Sequence, residues 1–101
     1  MFEKKRIELI IERMAYKRAC RILEASGLTG YTVLPAIAGF GGESRWQRDT
    51  DMSASRNMVV VISIGESEKT YAALKDIERL LGSHIGVVSV SDVTVIRDER
   101  F

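Results

Sequence analysis

The sequence predicts an α+β protein of the ferredoxin-like βαββαβ fold, a four-stranded antiparallel sheet with two helices on one face. Two observations carry this prediction. Four segments alternate apolar and polar residues or run through β-branched ones, and two others repeat apolar residues at helical spacing. Their order is strand, helix, strand, long loop, strand, helix, strand, which is a doubled split βαβ unit. The 101 residues fit a single domain, 1–101.

The first half of the chain supplies a strand, a helix and a second strand. "KRIELIIER" alternates, so Ile7, Leu9 and Ile11 share one face of a strand. In "AYKRACRILEA" the apolar residues recur at helical spacing, and Gly27 beyond it suits a C-terminal cap. "GYTVLPAIAGF" predicts the second strand. Pro35 within it marks an edge or a bulge, because proline cannot donate a hydrogen bond to a neighbouring strand.

The second half supplies a strand, a helix and a last strand. "NMVVVISI" is β-branched and nearly continuous, as a strand covered on both faces would be. Ser67 offers a helix N-cap, and Gly82 ends that helix. The predicted apolar stripe of the helix consists of Tyr71, Leu74, Ile77 and Leu81. "GVVSVSDVTVIR" returns to alternation as the last strand.

The strands carry apolar residues on both faces of the predicted sheet. Leu9, Ile11, Val60 and Ile62 cannot all point at the two helices. A bare apolar sheet face is normally covered by another subunit. We therefore expect a closed homo-oligomer.

Composition excludes several classes of protein. A net charge of +1 argues against bulk nucleic-acid binding, which needs a basic excess. The single Cys20 cannot form an internal disulfide or a Cys-pair metal site, and its helical setting favours a small buried hydrophobe. No apolar stretch reaches the roughly 18 residues of a membrane helix, and the N-terminal segment does not resemble a signal peptide. We expect a cytoplasmic protein that does not span a membrane and carries no prosthetic group.

The segment from Gly41 to Arg56 is a loop of about 16 residues, where hairpin connections usually have two to five. Loops of this length are generally functional or disordered. Trp46 is costly to leave in water, and the arginines beside it present forks suited to carboxylate, phosphate or another planar anion. We interpret the segment as a binding loop; a solvated, idle tip is the alternative.

Glycines lead into this loop in "GFGG". Gly39, Gly41 and Gly42 let the backbone approach a ligand closely. A glycine-rich strand exit without a ligand is the alternative, since neither a Walker lysine nor a helix follows. The terminal "VIRDERF" places Arg97 and Arg100 near the end of the last strand, where arginines are usually only solvated.

No residue pattern indicates catalysis or a metal. His84 stands in "GSHIG" without a second ligand at metal-binding spacing, which favours a structural or surface histidine. Asp49 and Asp51 are two residues apart in a loop, which is a common arrangement of solvated carboxylates and weak evidence for acid–base catalysis. No nucleophile has an evident base partner.

Three segments resemble the PII signal-protein family. "GLTGYTVLPAIAGFGG" is similar to the signature in which G-x-T/K-G-x-T-V runs down the second strand to G-x-G at the base of a long loop. "KRIELIIER" resembles the first PII strand, and "SVSDVTVIR" the strand ending in arginine that closes the domain. The resemblance implies a ferredoxin-like homotrimer that binds adenine nucleotides between subunits and reports ligand state to a partner protein through its long loop.

The resemblance also assigns roles to residues. It places Thr32 near the adenine, Gly39 and Gly41 at ribose and phosphate, and Arg97, with Arg100 as its companion, on a phosphate bound by the neighbouring subunit. The nucleotide-binding candidates are together Thr32, Gly39, Phe40, Gly41, Gly42, Gly86, Val87, Arg97 and Arg100. The candidates in the anion-binding switch loop are Arg45, Trp46, Arg48 and Arg56.

The chain departs from the family pattern in three places, and two other features resemble one branch of the family. The phosphate loop after the second helix shrinks to "GSHIG" without lysine, and the loop glutamine for 2-oxoglutarate and the uridylylated tyrosine have no counterpart. The short loop and the "GYTV" start more closely resemble those of PII-like proteins tied to inorganic carbon, including carboxysome-associated and bicarbonate-transporter-associated members. In that branch the implied ligands are ADP or AMP and bicarbonate, and the implied partner is a transporter or a carboxysome-related protein.

Other functions of the same fold stay open at this point. A small enzyme such as an acyl-phosphate hydrolase would need a phosphate loop after the first strand, where "ERMAYK" lacks glycine. An RNA-binding module would need exposed aromatic residues on the central strands. A nitrogen-type PII regulator is the remaining alternative to the inorganic-carbon sensor.

Overall fold

The structure is a computed structural model that describes residues 1–41, 44–47 and 57–99, with the backbone alone described for 44–47. Along the described residues, eight elements follow one another. They are β1 (Phe2–Glu12), α1 (Arg13–Ala25), β2 (Thr32–Pro35), β3 (Ala38–Gly41), β4 (Ser44–Gln47), β5 (Met58–Gly65), α2 (Ser67–Leu81) and β6 (Gly86–Val95).

Four of the strands form one antiparallel sheet in the order β2-β5-β1-β6. Both helices pack on the same face of this sheet, α1 against β1 and β5, and α2 against β1 and β6. The predicted ferredoxin-like fold is therefore confirmed. β1 is the long central strand, because it pairs with β5 on one side and with β6 on the other.

The strand register divides the apolar residues between the two sheet faces. Leu9 lies opposite Val61, and both side chains are fully buried under the helices. The neighbouring pair, Ile10 and Val60, points to the other face and is only half-buried in the single subunit. Leu34 on the edge strand extends this second face and is 45% exposed. The open face thus carries apolar side chains from β5, β2 and the end of β1, together with the ion pair between Arg6 and Glu8 on β1.

The helices bury small side chains against the sheet. In α1 the buried residues are Ala15, Ala19, Cys20 and Leu23, so Cys20 is the small buried hydrophobe that the sequence predicts. Gly27 has a φ of 91°, and the next amide, of Leu28, donates to the carbonyl of Leu23. This is the Schellman arrangement that favours glycine after a helix.

Two sequence predictions for α2 are wrong in detail. Its N-cap is Glu66, and Ser67 is already the first helical residue. Tyr71 is 50% exposed, and the buried face consists instead of Thr70, Ala73 and Ile77. Small side chains at Thr70 and Ala73 let the helix pack closely on the sheet, so the larger Tyr71 one position away points outward.

The second predicted strand is broken in two after Pro35. β2 is an edge strand of the main sheet, which fits a proline that cannot donate to a neighbour. The chain then leaves the sheet, and β3 pairs with β4 in a separate two-stranded hairpin, with Gly41 opposite Ser44. Part of the predicted loop is therefore a strand of this separate hairpin.

Gly86, the first residue of β6, packs directly on the backbone of β1. A Cβ atom there would lie 2.8 Å from the carbonyl oxygen of Ile10 and 2.8 Å from Cδ2 of Leu81. The oxygen belongs to a paired strand and cannot move aside easily. The fold alone therefore excludes a side chain at this position, independently of any ligand.

We predict that Gly86→Ala lowers the free energy of unfolding by about 1–3 kcal/mol, the usual cost of overpacking a close contact. The measurement is urea denaturation followed by circular dichroism. Gly30→Ala is the matched control, because a Cβ at Gly30 would meet nothing within 4 Å. Equal stability of the two variants would contradict the close packing of Gly86.

Candidate functional site

One end of the sheet gathers most of the described candidate residues. β1 ends there at Glu12, β2 ends at Pro35, β5 begins at Met58 and β6 begins at Gly86. The hairpin that carries Gly39, Phe40 and Gly41 leaves the sheet at this end, and the short loop after α2 returns to it. The glycine-containing hairpin after β2 and the loop at 82–87 therefore lie at the same end of one subunit.

Backbone hydrogen bonds tie these segments together. The amide of Arg13 donates to the carbonyl of Asn57 at 2.8 Å, and the amide of Ala36 donates to the carbonyl of Met58 at 3.0 Å. The first bond joins the start of α1 to the chain entering β5, and the second holds the residue that follows β2. Backbone hydrogen bonds therefore hold both ends of the segment between β2 and β5.

Glu12 anchors the loop after α2. Its backbone amide donates to the carbonyl of Ile85 at 3.1 Å, and one carboxylate oxygen, Oε1, accepts from the Ile85 amide at 3.2 Å. The same oxygen lies 2.7 Å from Nδ1 of His84. The Glu12 side chain is only 7% exposed, so these partners replace the water it has lost.

His84 has a defined structural role. Its side chain is 10% exposed and lies between Glu12 and the guanidinium of Arg18, whose Nη2 is 2.7 Å from Nε2 of the ring. Within residues 1–41, 44–47 and 57–99, no three potential metal-binding side chains cluster together. The prediction that His84 is structural is thus supported by its contacts, whereas the sequence did not reveal Glu12 and Arg18 as its partners.

The same end of the subunit exposes an apolar surface. Phe40 and Ile37 project from the hairpin base, and Ile85 and Val87 from the loop and the start of β6. All four side chains are more than half exposed. Apolar groups beside glycine-rich backbone suit a ligand that combines a flat ring with polar substituents.

Thr32 and Arg97 lie elsewhere in the subunit. Thr32 pairs with Ile62 and faces the open side of the sheet. Arg97 follows the far end of β6, which is ten residues long and therefore spans roughly 30 Å. One subunit does not bring Arg97 together with Gly39, Gly41 or Val87.

The segment after β6, residues 96–99, is held on β1 and is called the arm below. Lys4, whose side chain is 9% exposed, forms an ion pair with Asp98 at 2.6 Å. Arg97 beside it stays 70% exposed, with its Nε 4.0 Å from a carboxylate oxygen of Glu99. The arm thus presents a guanidinium outward from a fixed backbone.

A further polar cluster lies between α1 and the chain that leads into β2. The Tyr31 hydroxyl donates to Glu24 at 2.7 Å, and this hydrogen bond raises the pKa of Tyr31 to about 12. Burial raises the pKa of the neighbouring Cys20 thiol, so the protonated form is favoured. Both groups are therefore neutral near pH 7, and the cluster anchors the chain just before β2.

Several predicted residues cannot be placed. Gly42, Arg48, Arg56 and Arg100 lie outside the described residues. For Arg45 and Trp46 the backbone alone is described, in β4 opposite Phe40 and Gly39. Their proposed roles rest on the sequence.

The family model described as "Nitrogen regulatory protein P-II" matches residues 4–100 of this chain. The chain therefore belongs to the P-II family, and the resemblance predicted from its second strand and its last strand is confirmed. No curated protein sequence matches the chain. In the described part of the chain, neither helix has the length and apolar character needed to cross a membrane.

Solved structures of PII-like proteins share the fold. CPII from Thiomonas intermedia K12, bound to ADP, AMP and bicarbonate, matches with a TM-score of 0.85 and 24% identity, over 95% of this chain and 91% of that chain. CPII bound to ADP and bicarbonate matches with 0.83 and 25%, over 95% and 91%. A candidate PII-like signalling protein from Thermus thermophilus matches with 0.80 and 23%, over 98% and 95%.

We predict that Glu12→Ala destabilises the protein by on the order of 2 kcal/mol, because it leaves the amide of Ile85 and the His84 ring without their carboxylate partner. Amide hydrogen exchange should show faster exchange at Ile85 in this variant. Glu78→Ala, which removes an exposed glutamate from α2, is the control. Unchanged exchange at Ile85 would refute the anchoring role of Glu12.

Proposed function

We propose that the protein is a non-enzymatic regulatory sensor that binds ADP or AMP in clefts between the subunits of a homotrimer. The observation that carries the proposal is the division of the candidate site. Glycine-rich backbone and apolar side chains lie at one end of the sheet, and the exposed Arg97 lies at the other. Only a neighbouring subunit can supply the arginine to the first half.

The chemistry of the two halves suits a nucleoside diphosphate or monophosphate. Phe40 and Val87 offer apolar surface for a base, and the backbone at Gly39 and Gly41 allows close approach of ribose and phosphate. Gly42 and Thr32 belong to the same proposed contact set. Arg97, with Arg100 as its companion, supplies a guanidinium fork that matches phosphate.

The open face of the sheet supports the trimer. Val60, Ile62, Ile64 and Ile10 lie on this face and remain only partly buried in the single subunit. Apolar faces of this kind are normally covered by a partner, and a closed ring of identical subunits covers every copy equally. Such a ring also creates the clefts that the divided site requires.

Bicarbonate is the proposed second ligand. CPII, of the same family and fold, is described in complexes that contain it together with ADP. Bicarbonate is planar and singly charged, so it matches an arginine fork or a row of backbone amides at "GFGG". The candidate arginines in this chain are Arg45, Arg48 and Arg56.

The segment 41–56 is the proposed output of the sensor. Ligands at its base would favour one loop conformation, and ordering of a segment is a common switching device. We propose that this loop signals to a protein partner in inorganic-carbon metabolism, a transporter or a carboxysome-related protein, in the cytoplasm. The partner would then respond to the loop conformation instead of to the ligand directly.

We predict that Arg97→Ala weakens ADP binding by about 1.5–3 kcal/mol, the range for hydrogen bonds to charged groups. This is about ten-fold or more in Kd, measured by isothermal titration calorimetry. Arg79→Ala removes a similarly exposed arginine from α2 and is the control. Light scattering on both variants should give a trimer; an unchanged Kd in trimeric Arg97→Ala, or a stable monomer, would refute the divided site.

We predict that bicarbonate and ADP bind cooperatively. A small anion alone gives little energy to order a long loop, whereas bound nucleotide supplies part of that ordering beforehand. Trp46 is the only tryptophan, so its fluorescence should change when millimolar bicarbonate is added to the ADP-loaded protein, and change less without ADP. Sodium chloride at the same ionic strength and pH is the control. No response of either fluorescence or ADP affinity would exclude bicarbonate and leave the nucleotide sensor.

A further inference from the structure

We propose that Lys4 and Asp98 are positioning residues of the divided nucleotide site. Their ion pair folds the arm over the open face of the sheet, and it thereby determines how well Arg97 reaches the ligand of the neighbouring subunit. This inference rests on the proposed function, because it concerns the same site. It gives neither Lys4 nor Asp98 a contact with the nucleotide, and neither the sequence pattern nor the family resemblance assigned them a role.

The alternation of β1 places Lys4 on the open face. Ile7, Leu9 and Ile11 are fully buried under the helices, and successive side chains of a strand point to opposite faces. The pairing of β1 with β6 runs without a break from Phe2 to Ile11, so the alternation holds to the start of the strand. Lys4 therefore lies on the face that is turned away from the helices.

Lys4 is more covered than the charged side chains that follow it on this face. Its side chain is 9% exposed, against 30% for Arg6 and 37% for Glu8. Its carboxylate partner at 2.6 Å is Asp98, which belongs to the arm. The low exposure and the ion pair both indicate that the arm lies against Lys4.

The arm reaches Lys4 only by turning back from the end of β6. Val93 lies opposite Lys4, so an extended continuation would carry Asp98, five residues later, roughly 16 Å past that level. The chain instead bends at Ile96 directly after the strand. The arm therefore folds over the open face at the far end of the sheet.

This anchor restricts the position of Arg97. Arg97 directly precedes Asp98, and its side chain stays 70% exposed. The open face is the one proposed to be covered by another subunit, so the anchored arm lies at the boundary between subunits. Without the anchor, the arm backbone would have to be ordered when the ligand binds, and the affinity would fall.

A second lysine–aspartate pair provides a matched control. Lys5 and Asp92 form an ion pair between β1 and β6. Lys5 lies on the helix face, with its Nζ 6.0 Å from the centre of the Tyr71 ring of α2. This pair joins the same two strands through the same residue types but includes no residue of the arm. Lys5→Met therefore removes a comparable contact without releasing Arg97.

The first measurement examines the arm without a ligand. Nitrogen-15 heteronuclear NOE values of the full chain report backbone motion on the picosecond-to-nanosecond scale. In the unmodified protein and in Lys5→Met, the amides of residues 97–99 should be as rigid as those of β6. In Lys4→Met and in Asp98→Asn they should be more mobile. Rigid arm amides in both of these variants would overturn the proposal before any binding is measured.

The second measurement is the Kd of ADP by calorimetry. Lys4→Met keeps the apolar stem of the side chain without its charge, and Asp98→Asn keeps the shape of the carboxyl group. Each should weaken ADP binding by on the order of three- to ten-fold, because part of the arm must then be ordered on binding. The double variant should bind no more weakly than either single one, since the two residues make one interaction. Lys5→Met should stay within about two-fold of the unmodified protein.

The decisive comparison places Lys4→Met in the Arg97→Ala background. A positioning residue acts through the side chain that it positions, so Lys4→Met should cause no further loss of ADP affinity once Arg97 is absent. An equal loss in both backgrounds would mean that Lys4 acts on the protein in general, and it would contradict the proposed role.

The same variants separate this inference from the proposed function. Circular dichroism and light scattering should show each of them folded and assembled like the unmodified protein. If Arg97→Ala weakens ADP binding but Lys4→Met and Asp98→Asn bind like the unmodified protein, this inference fails and the proposed function stands. Absence of ADP binding, or unchanged binding by Arg97→Ala, would overturn the proposed function, and this inference with it.

Discussion

The pairing of β1 with both of its neighbours is the constraint on which the rest of the molecule depends. Its antiparallel register with β5 places Leu9 opposite Val61 and Ile10 opposite Val60. Because successive side chains of a strand point to opposite faces, this register decides at once which residues pack under the helices and which form the open apolar face. A shift of one residue would exchange the core with the surface proposed to bind another subunit.

The end of β1 carries a buried carboxylate. Glu12 lies in a buried position, where an unpaired carboxylate would be unfavourable. It is compensated by the amide of Ile85 and the ring of His84, both from the loop that follows α2. β1 therefore both forms the centre of the core and, through Glu12, positions the loop after α2.

The two parts of the proposed ligand site lie at opposite ends of the sheet. The hairpin and the loop at 82–87 lie at one end, and the arm with Arg97 lies at the other, held by the ion pair between Lys4 and Asp98. In the proposed trimer each subunit completes the site of its neighbour. Ligand binding and subunit association are then coupled, because a ligand in the cleft favours the assembled state.

The sequence by itself determined the order of the elements, showed that apolar residues lie on both sheet faces, limited Pro35 to an edge or a bulge, and carried the family signature. These features depend on residues close together in the chain, where periodicity and backbone chemistry act directly. It misassigned Tyr71 to the buried face and did not reveal the break after Pro35. The contacts of His84 were decided by tertiary structure alone, because Glu12 and Arg18 are 72 and 66 residues away and meet it only once β1, α1 and the loop after α2 have packed together.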